Sequence, residues 1–476
     1  MQIRAFQLHN YGRFESLAAS FMENESTPAK VVVLVGNNGA GKTSILKGLA
    51  TSLSWFIARL RSEKGSGSPI AEHLIKEGTQ SAAVEIEVAD NLTDEPFYQW
   101  TLARTRQGRV ARHRTALQGI ANATELYRIR LTLMEDCNLP LMAHYPVERS
   151  VLETPLKAKR RNAFDQLSGY EDFLSPSIGF AKFFEWFRDR EDHENERSRE
   201  LFNTVISDHD IKRFAMSILD RNRDTNGDLA DGFVMPLPED LTAQLKNHFH
   251  QWSGRTKDAQ LSAVRSAIER FMPGFANLRV QRKPRLQLMV DKNEQPLNIL
   301  QLSQGEKSLM ALVGDIARRL AMMNPGLENP LHGVGIVLID EIDMHLHPTW
   351  QREIIRNLTS TFPNCQFILT THSPLVISDS PDVLVLSLNN GTLERKPSQF
   401  GQDANTVLLD VMNTHVRNRD IGALLNDALD AIQDSRLEDA RQIIDTLDAQ
   451  LPPSNLELTK AKLFLRKQEL RIEKNR

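Results

Sequence analysis

A glycine-rich segment directly after an apolar run is the feature that most constrains the fold of this chain. Residues 36–43 have the sequence Gly-Asn-Asn-Gly-Ala-Gly-Lys-Thr, which matches the complete G-x-x-x-x-G-K-S/T phosphate loop. The apolar residues 31–35 before it predict a buried parallel strand, and apolar residues after it recur at helical spacing. A strand, a glycine-rich turn and a helix N-terminus direct backbone N–H groups at phosphate oxygens. The sequence therefore predicts a nucleotide site, since a chance match in a turn would lack the flanking strand and helix.

Residue types within the loop predict their roles at this site. Lys42 can reach the β- and γ-phosphates of ATP, and Thr43 can offer its hydroxyl to Mg²⁺. The glycines permit backbone torsions and close approach that a Cβ would block. The predicted ATP-binding residues of the loop are Asn37, Asn38, Gly39, Ala40, Gly41, Lys42, Thr43 and Ser44.

Length, charge and cysteine content exclude several classes of protein. The 476 residues are enough for roughly two or three domains. The net charge of −3 gives no global basic field, so any contact with nucleic acid must use a local patch. Cys137 and Cys365 are too few for a disulfide framework or a zinc site, which fits a reducing cytoplasm. The sequence shows no signal peptide and no bilayer-spanning apolar stretch, so we expect no membrane association.

Two carboxylates and a histidine follow further apolar strands downstream of the loop. Asp340 and Glu341 come directly after residues 336–339; we expect Asp340 to hold Mg²⁺ through water and Glu341 to orient or deprotonate the attacking water. His372 follows residues 367–370, where an imidazole could sense the γ-phosphate. Taken singly, such residues are often only loop polarity or structural. Their order after a phosphate loop favours a catalytic site.

Residues 302–308, Leu-Ser-Gln-Gly-Glu-Lys-Ser, resemble the signature motif of ABC-type ATPases, Leu-Ser-Gly-Gly-Gln. The two departures match the Leu-Ser-x-Gly-Glu form of the family's DNA-associated members. The resemblance implies that two chains sandwich two ATP molecules head to tail, each site combining Lys42 of one protomer with Ser303 of its partner. A helix N-terminus with a hydroxyl and free N–H groups suits the γ-phosphate. The residues implied in this contact are Ser303, Gln304, Gly305 and Glu306.

Residues 337–348 and 367–374 look like the RecF/OLD-type branch of ABC ATPases, and within it the PtuA family of Septu and related retron anti-phage systems. The likeness covers residues 1–145 and 280–400 well. No Toprim or H-N-H nuclease motif is seen, so the resemblance implies a separate HNH nuclease subunit, similar to PtuB, and an oligomer of at least two ATPase chains. In retron-linked versions it adds a reverse transcriptase and its DNA product, the msDNA.

The resemblance also implies an architecture, an α/β fold with an ABC-type P-loop ATPase head. The head has a mixed sheet and an antiparallel β lobe, and carries a helical insertion and a helical C-terminal tail. The expected segments are 1–149 for the N-terminal part of the head, 150–278 for the insertion, 279–400 for the C-terminal part of the head, and 401–476 for the tail, a candidate docking surface for a partner. Residues 3–8 are expected to form an edge strand, 82–88 and 98–102 a hairpin, and 139–143 and 297–300 further strands.

Two loops known from the ABC family are atypical here. His345 and His347 occupy the position of the D-loop; two histidines at this spacing could bind a metal, but a dimer-interface loop is the better interpretation. No glutamine follows the strand expected at 139–143, so residues 145–149 are the candidate replacement for the Q-loop.

Charged segments give weaker indications. The basic clusters 104–114, 157–161 and 279–285 are candidate DNA contacts, although charge runs are usually solvated surfaces. Residues 220–228 have the composition of a calcium loop, but neither possible register supplies both the required glycine and the bidentate glutamate, which favours a polar loop.

Two alternative functions stay open at this point. A RecF-like repair ATPase or clamp would bind DNA in an ATP-dependent manner without a nuclease partner. A nucleotide-sensing scaffold would bind ATP with little turnover. A transporter ATPase is disfavoured by the long helical insertion and by the D-loop sequence.

Overall fold

The computed structural model describes residues 1–90, 97–110, 112–134, 136–147, 164–175, 180–206, 257–412, 414 and 417–474. It contains two compact units, Met1–Gly401 and Gln402–Arg476. Most of the predicted insertion, the calcium-like segment 220–228 and the basic cluster 157–161 lie outside the described residues.

The strands of the described chain are β1 (Gln2–Tyr11), β2 (Phe14–Ser20), β3 (Val31–Gly36), β4 (Ser81–Ala89), β5 (Tyr98–Thr105), β6 (Leu141–Tyr145), β7 (Phe275–Gln281), β8 (Gln287–Lys292), β9 (Gln295–Asn298), β10 (Gly335–Ile339), β11 (Cys365–Thr370), β12 (Leu384–Asn389) and β13 (Thr392–Lys396). Its helices are α1 (Lys42–Arg61), α2 (Gln118–Leu133), α3 (Phe180–Ile206), α4 (Ala259–Phe271), α5 (Gln304–Met323), α6 (Pro348–Thr361), α7 (Pro374–Ser378), α8 (Ala404–Asp410), α9 (Arg419–Gln433), α10 (Leu437–Gln450) and α11 (Leu456–Lys474). Short 3-10 helices occupy Glu72–Leu74, Gln166–Tyr170, Ile299–Gln301 and Pro330–His332.

A six-stranded sheet in the order β13-β12-β3-β11-β10-β6 forms the centre of the first unit. Strands β12, β3, β11, β10 and β6 run parallel to one another, and β13 is antiparallel to β12. Every residue of β3, β10 and β11 is buried, as expected for a parallel sheet covered on both faces. The carboxyl ends of these parallel strands therefore meet at one edge of the sheet.

An antiparallel sheet in the order β2-β1-β4-β5 lies on the other side of α1. Helix α1 is buried around most of its circumference because it contacts β1 and β4 on one side and β3, β10 and β11 on the other. The predicted hairpin is confirmed as β4 and β5. The prediction of an edge strand at residues 3–8 is wrong, because β2 pairs with β1 and places it between β2 and β4.

One buried glutamine side chain joins the two sheets. Gln366 of β11 is fully buried; its carbonyl oxygen accepts the N–H of Ile3 at 2.7 Å, and its amide donates to the carbonyls of Ile3 and Ala29, both at 3.0 Å. These bonds satisfy backbone groups of Ile3 in β1 and of Ala29, just before β3, that have been removed from water.

A third sheet, β7-β8-β9, precedes α5. The strand predicted at 297–300 ends earlier, because Asn298 and Gln301 form a capping box that starts the 3-10 turn Ile299–Gln301. The strand predicted at 139–143 lies two residues later, at Leu141–Tyr145. Helix α5 packs against α4, α3 and β6 and is buried along nearly its whole length.

The second unit consists of α8 to α11 and has its own apolar core. Leu425, Ala428, Leu447, Leu458 and Ala461 belong to this core and come from α9, α10 and α11. The helical prediction for residues 401–476 is confirmed for the described part of the segment.

We expect Gln366→Met to lower the free energy of unfolding by about 3 kcal/mol, because it leaves buried backbone groups of Ile3 and Ala29 without a hydrogen-bond partner. Chemical denaturation of the purified protein measures the change. Gln118→Met is the control, since Gln118 is exposed and bonds only to Asn122 among the described residues. Equal stability of the two variants would contradict a role for Gln366 in joining the sheets.

Candidate nucleotide site

The phosphate loop follows β3 and has the backbone conformation that only glycine adopts readily. Gly36 and Gly41 have φ angles of 152° and 111°. A Cβ at Gly36 would lie 2.6 Å from the carbonyl oxygen of Leu388, and a Cβ at Gly41 would lie 2.5 Å from the ring of Phe14. Gly39 has a φ of 73° and open space beside it, so this part of the loop is free to receive a ligand.

Helix α1 begins directly after the loop, and no side chain caps its N-terminus. The loop N–H groups and the positive end of the helix dipole are thus available to an anion. Lys42, the first residue of α1, is buried, and its ammonium donates to the carbonyls of Gly36 at 2.8 Å and Asn37 at 3.3 Å. The lysine is therefore held over the loop in which phosphates would lie.

Carboxylates that follow β10 act electrostatically on this lysine. Burial lowers the pKa of Lys42, and the negative charges of Asp340, Glu341 and Asp343 oppose that shift. The direction of these effects agrees with the parallel order β3-β11-β10, which brings the loop and the end of β10 to the same edge of the sheet.

Threonines at the end of β11 position these carboxylates. The hydroxyl of Thr370 donates to Asp340 at 2.5 Å and accepts the N–H of Glu341 at 2.7 Å. The hydroxyl of Thr371 donates to Asp343 at 2.5 Å, and the same carboxylate oxygen accepts the N–H of His372 at 3.3 Å. Parallel pairing of β10 with β11 makes these contacts possible, because it aligns Ile339 with Leu369.

Glu341 and His372 are accessible at this edge of the sheet. Glu341 is half-buried and has a φ of 46°, which is uncommon outside glycine and is often found at functional sites. His372 is exposed and directly follows β11 and Thr371. Both residues follow strands that end at the same edge of the sheet as β3, and both stay predicted catalytic residues.

The residues present fit Mg²⁺ bound together with ATP rather than by protein alone. Mg²⁺ usually takes one or two carboxylate ligands and completes its shell with water and phosphate oxygens. Asp340 is buried at the end of β10, and Thr43 is the second residue of α1. Among the described residues no group of three histidine, cysteine or acidic side chains could hold a metal ion. Thr43 and Asp340 would thus hold the ion, which would neutralise phosphate charge.

The predicted signature segment begins α5 with a capping box. The Ser303 hydroxyl accepts the N–H of Glu306 at 3.3 Å, and the Glu306 carboxylate accepts the N–H of Ser303 at 2.8 Å. Lys292 of β8 pairs with Glu306 at 2.7 Å. Burial acts to raise the pKa of Glu306, but the bonds from Lys292 and Ser303 outweigh it and lower that pKa. The negative charge is thereby compensated at this helix N-terminus, where Ser303 and Gln304 are exposed.

The signature segment lies against the predicted D-loop of the same chain. A Cβ at Gly305 would lie 2.4 Å from the carbonyl oxygen of His345, so only glycine permits this approach. His345 itself has a φ of 64°, and His347 caps α6 by accepting the N–H of Thr349 at 3.3 Å. Strand β11 separates β10, which leads to the D-loop, from β3, which leads to the phosphate loop.

Several residues at the site were not found by sequence reasoning. Arg13 donates to the carbonyl of Gly39 in the phosphate loop. Asp343, Thr370 and Lys292 support the predicted residues through the contacts described above. The motif Asp-Glu-Ile-Asp at 340–343 was a usable signal for Asp343; the others depend on contacts between distant parts of the chain.

The basic clusters have different environments. In the cluster 279–285, Arg279 pairs with Asp291, and Arg282 pairs with Glu191 and Asp192, which indicates a structural role for these two arginines. In the cluster 104–114, Arg109, Arg112 and Arg114 are exposed. The cluster 104–114 therefore stays a predicted DNA contact.

Comparison with known proteins finds AAA domains and ATPases, in agreement with a phosphate loop at the site. Two AAA domain family models match residues 5–224 and 153–378; the description of the second also names the AbiEii toxin and "Type IV TA system". The "Retron Ec83 probable ATPase" of Escherichia coli is 33% identical over 492 residues, with 98% of this chain and 87% of the relative covered. The chain belongs to the family of retron ATPases.

Two further relatives agree with this assignment. The "Retron Vc95 probable ATPase" of Vibrio cholerae serotype O1 biovar El Tor is 30% identical, covering 86% of this chain and 78% of the relative. The "Septu protein PtuA" of Bacillus mycoides (strain KBAB4) is 41% identical over 113 residues, 22% of this chain and 15% of the relative. The resemblance inferred from the motifs is confirmed, and so is the predicted class of enzyme, an ATPase. None of the described helices is both long enough and apolar enough to cross a bilayer.

We expect Thr370→Val in this retron-family ATPase to lower kcat for ATP hydrolysis about 10–100-fold with little effect on ATP affinity, because the residue orients Asp340 and Glu341 rather than contacting phosphate. Steady-state ATPase assays and nucleotide titration measure the two quantities. Thr361→Val is the matched control, since Thr361 is buried and its hydroxyl has no partner among the described residues. An equal loss in both variants would contradict the orienting role.

Proposed function

We propose that the chain is the ATPase subunit of a cytoplasmic anti-phage defence complex, in which ATP bound between two copies of the chain controls a separate HNH nuclease. The observation that carries the nucleotide part is the ammonium of Lys42 bonded to the loop carbonyls of Gly36 and Asn37, at the edge of the sheet where the parallel strands β3, β11 and β10 all end. The defence part is supported by the similarity to retron ATPases and to Septu PtuA.

The proposed reaction assigns one role to each side chain. Lys42 and the loop N–H groups bind the β- and γ-phosphates, while Thr43 and Asp340 hold Mg²⁺. Glu341 takes a proton from the attacking water, whose oxygen bonds to the γ-phosphorus as the bond to the β–γ bridging oxygen breaks. His372 contacts the γ-phosphate. The products are ADP and inorganic phosphate.

The dimer part of the proposal is supported by the N-terminus of α5. Ser303 and Gln304 are exposed there, and Lys292 compensates the charge of Glu306, so an approaching phosphate would not be repelled. The hydroxyl hydrogen of Ser303 is not used in the capping box, where the oxygen acts as acceptor. In the proposed assembly each ATP lies between the phosphate loop of one protomer and the signature of the other.

A mixture of two inactive variants tests this shared site. Lys42→Ala removes the loop cation, and Ser303→Asp keeps a good helix cap while placing a negative charge beside the γ-phosphate. Each variant alone should lose ATPase activity. Their equal mixture should recover roughly a quarter of the wild-type rate, because half of the exchanged dimers are mixed and each mixed dimer has one intact site.

The measurement is ATPase activity after subunit exchange, with differently tagged chains to show that mixed dimers form. Full activity of Ser303→Asp alone would exclude the signature from the site. Mixed dimers without recovered activity would contradict the head-to-tail arrangement, while leaving ATP binding by the loop intact.

The tail offers a surface for the proposed nuclease subunit. Leu456, Leu463 and Leu470 of α11 recur every seven residues, are 66%, 65% and 49% exposed, and therefore form a stripe on one side of the helix. The opposite side supplies buried residues to the core of the second unit. Lys467 and Arg471 lie on the exposed side and are themselves exposed. An apolar stripe beside basic side chains fits an acidic amphipathic helix of the partner.

We expect Leu463→Asp to abolish co-purification of the proposed HNH nuclease subunit when the two proteins are co-expressed, while leaving ATPase activity unchanged. Leu409→Asp is the control, since Leu409 is 53% exposed and lies on a different helix of the same unit. Pull-down with a tagged ATPase chain measures the effect. Retention of the nuclease by Leu463→Asp, or its equal loss from both variants, would assign docking to another surface.

A further inference from the structure

Tyr145, the last residue of β6, contacts both the nucleotide site and the signature helix. Its backbone carbonyl accepts the N–H of Asp340 at 2.9 Å. Its phenol donates to the carboxylate of Asp315, in the middle of α5, at 3.0 Å. One residue thus connects the proposed Mg²⁺ ligand with the helix that carries the signature.

The contact on α5 is a buried ionic cluster. Asp315 is fully buried and pairs with Arg318 at 2.7 Å and with Arg319 at 2.6 Å. Burial alone would raise the pKa of Asp315, but the two guanidinium groups outweigh it and hold that pKa well below its usual range. Since separating such charges would leave one of them buried and unpaired, the cluster resists being pulled apart.

Arg319 extends the cluster to the segment that enters the helical insertion. Its guanidinium donates to the backbone carbonyls of Gly169 at 2.7 Å and Glu171 at 3.0 Å. The Glu171 carboxylate in turn pairs with Lys182 of α3 at 3.0 Å. In addition, Phe183 of α3 packs directly on Gly314, where a Cβ would lie 2.9 Å from its ring.

We infer that Tyr145 is a positioning residue that couples the occupancy of the nucleotide site to residues 166–175 and to α3. The inference rests on the proposed binding of ATP and Mg²⁺ at Asp340. A displacement of the backbone at Asp340 moves the carbonyl of Tyr145, to which the Asp340 N–H is bonded. The phenol of Tyr145 transmits this displacement to Asp315 on α5. Asp315, Arg319 and the carbonyls of Gly169 and Glu171 stay bonded during this change. Residues 166–175 and α3 therefore move together with α5.

Hydrogen exchange of the full-length protein with and without ATP and Mg²⁺ tests the coupling. In the wild type we expect ATP to slow exchange at the start of α1 and to change it in residues 166–175 and 182–200. Tyr145→Phe removes only the hydroxyl. In this variant ATP should still slow exchange at the start of α1, but it should no longer change exchange in residues 166–175 and 182–200. The same variant should lower kcat with an unchanged KM for ATP.

Tyr127→Phe is the matched control. Tyr127 is likewise buried, and its hydroxyl donates to a carboxylate, Asp90, at 2.9 Å. This variant should retain both effects of ATP. Arg319→Lys is a second test should Tyr145→Phe fold poorly. Lysine keeps a charge beside Asp315 but has a single nitrogen, whereas arginine bonds Asp315 through Nε and both carbonyls through Nη1, so the change in residues 166–175 should be lost.

The outcomes separate the coupling from the function on which it rests. If ATP does not protect the start of α1 in the wild type, the proposed nucleotide site is wrong. If α1 is protected but residues 166–200 are unchanged in the wild type, the coupling is wrong and the nucleotide site stands. The coupling is also overturned if Tyr145→Phe responds to ATP as Tyr127→Phe does.

Discussion

A buried ammonium attracted by carboxylates from a different strand is the central interaction of the candidate site. Lys42 is removed from water at the start of α1, and this burial would favour its neutral form. Asp340, Glu341 and Asp343 oppose that effect in part, and the loop carbonyls of Gly36 and Asn37 accept hydrogen bonds from the ammonium. The arrangement requires β3 and β10 to end at the same edge of the sheet, which the parallel order with β11 between them provides. A bound triphosphate with its metal ion would bring charge of both signs into this same place.

The phosphate loop, Asp340, Glu341 and His372 could be predicted from the sequence because each lies at or near the end of a short apolar run. The run marks a buried parallel strand, and parallel strands bring their carboxyl ends together. The supporting residues could not be predicted in this way. Thr370 reaches Asp340 only through the register that aligns Ile339 with Leu369, and register between strands thirty positions apart leaves no local signal. Likewise the sequence does not predict the pairing of β1 with β2, because Phe14–Ser20 has a burial pattern far from strict alternation.

The signature segment departs from the Leu-Ser-Gly-Gly-Gln pattern at Glu306, and the structure explains how this glutamate is accommodated. A glutamate at position 306 introduces a negative charge where an anion is expected to approach. The structure compensates it with Lys292 and uses its carboxylate to cap the N–H of Ser303. The nearby Gly305 is required for another reason, the close approach of the His345 carbonyl. Composition and motif spacing could identify the segment, whereas only the fold supplies the lysine from β8.

The D-loop is anchored at several points that lie close together. Asp343 is bonded to Thr371 and to the backbone of His372, and the N–H of Ile342 donates to the carbonyl of Thr370 at 3.0 Å. The positive φ angles of Glu341 and His345 on either side of these bonds are conformations that persist only where the surroundings hold them. Since Gly305 rests on His345, the signature, the D-loop and the end of β11 are one connected body within the chain. A movement of the signature segment toward a nucleotide on a second chain would therefore act, through these contacts, on the segments that hold Glu341 and His372.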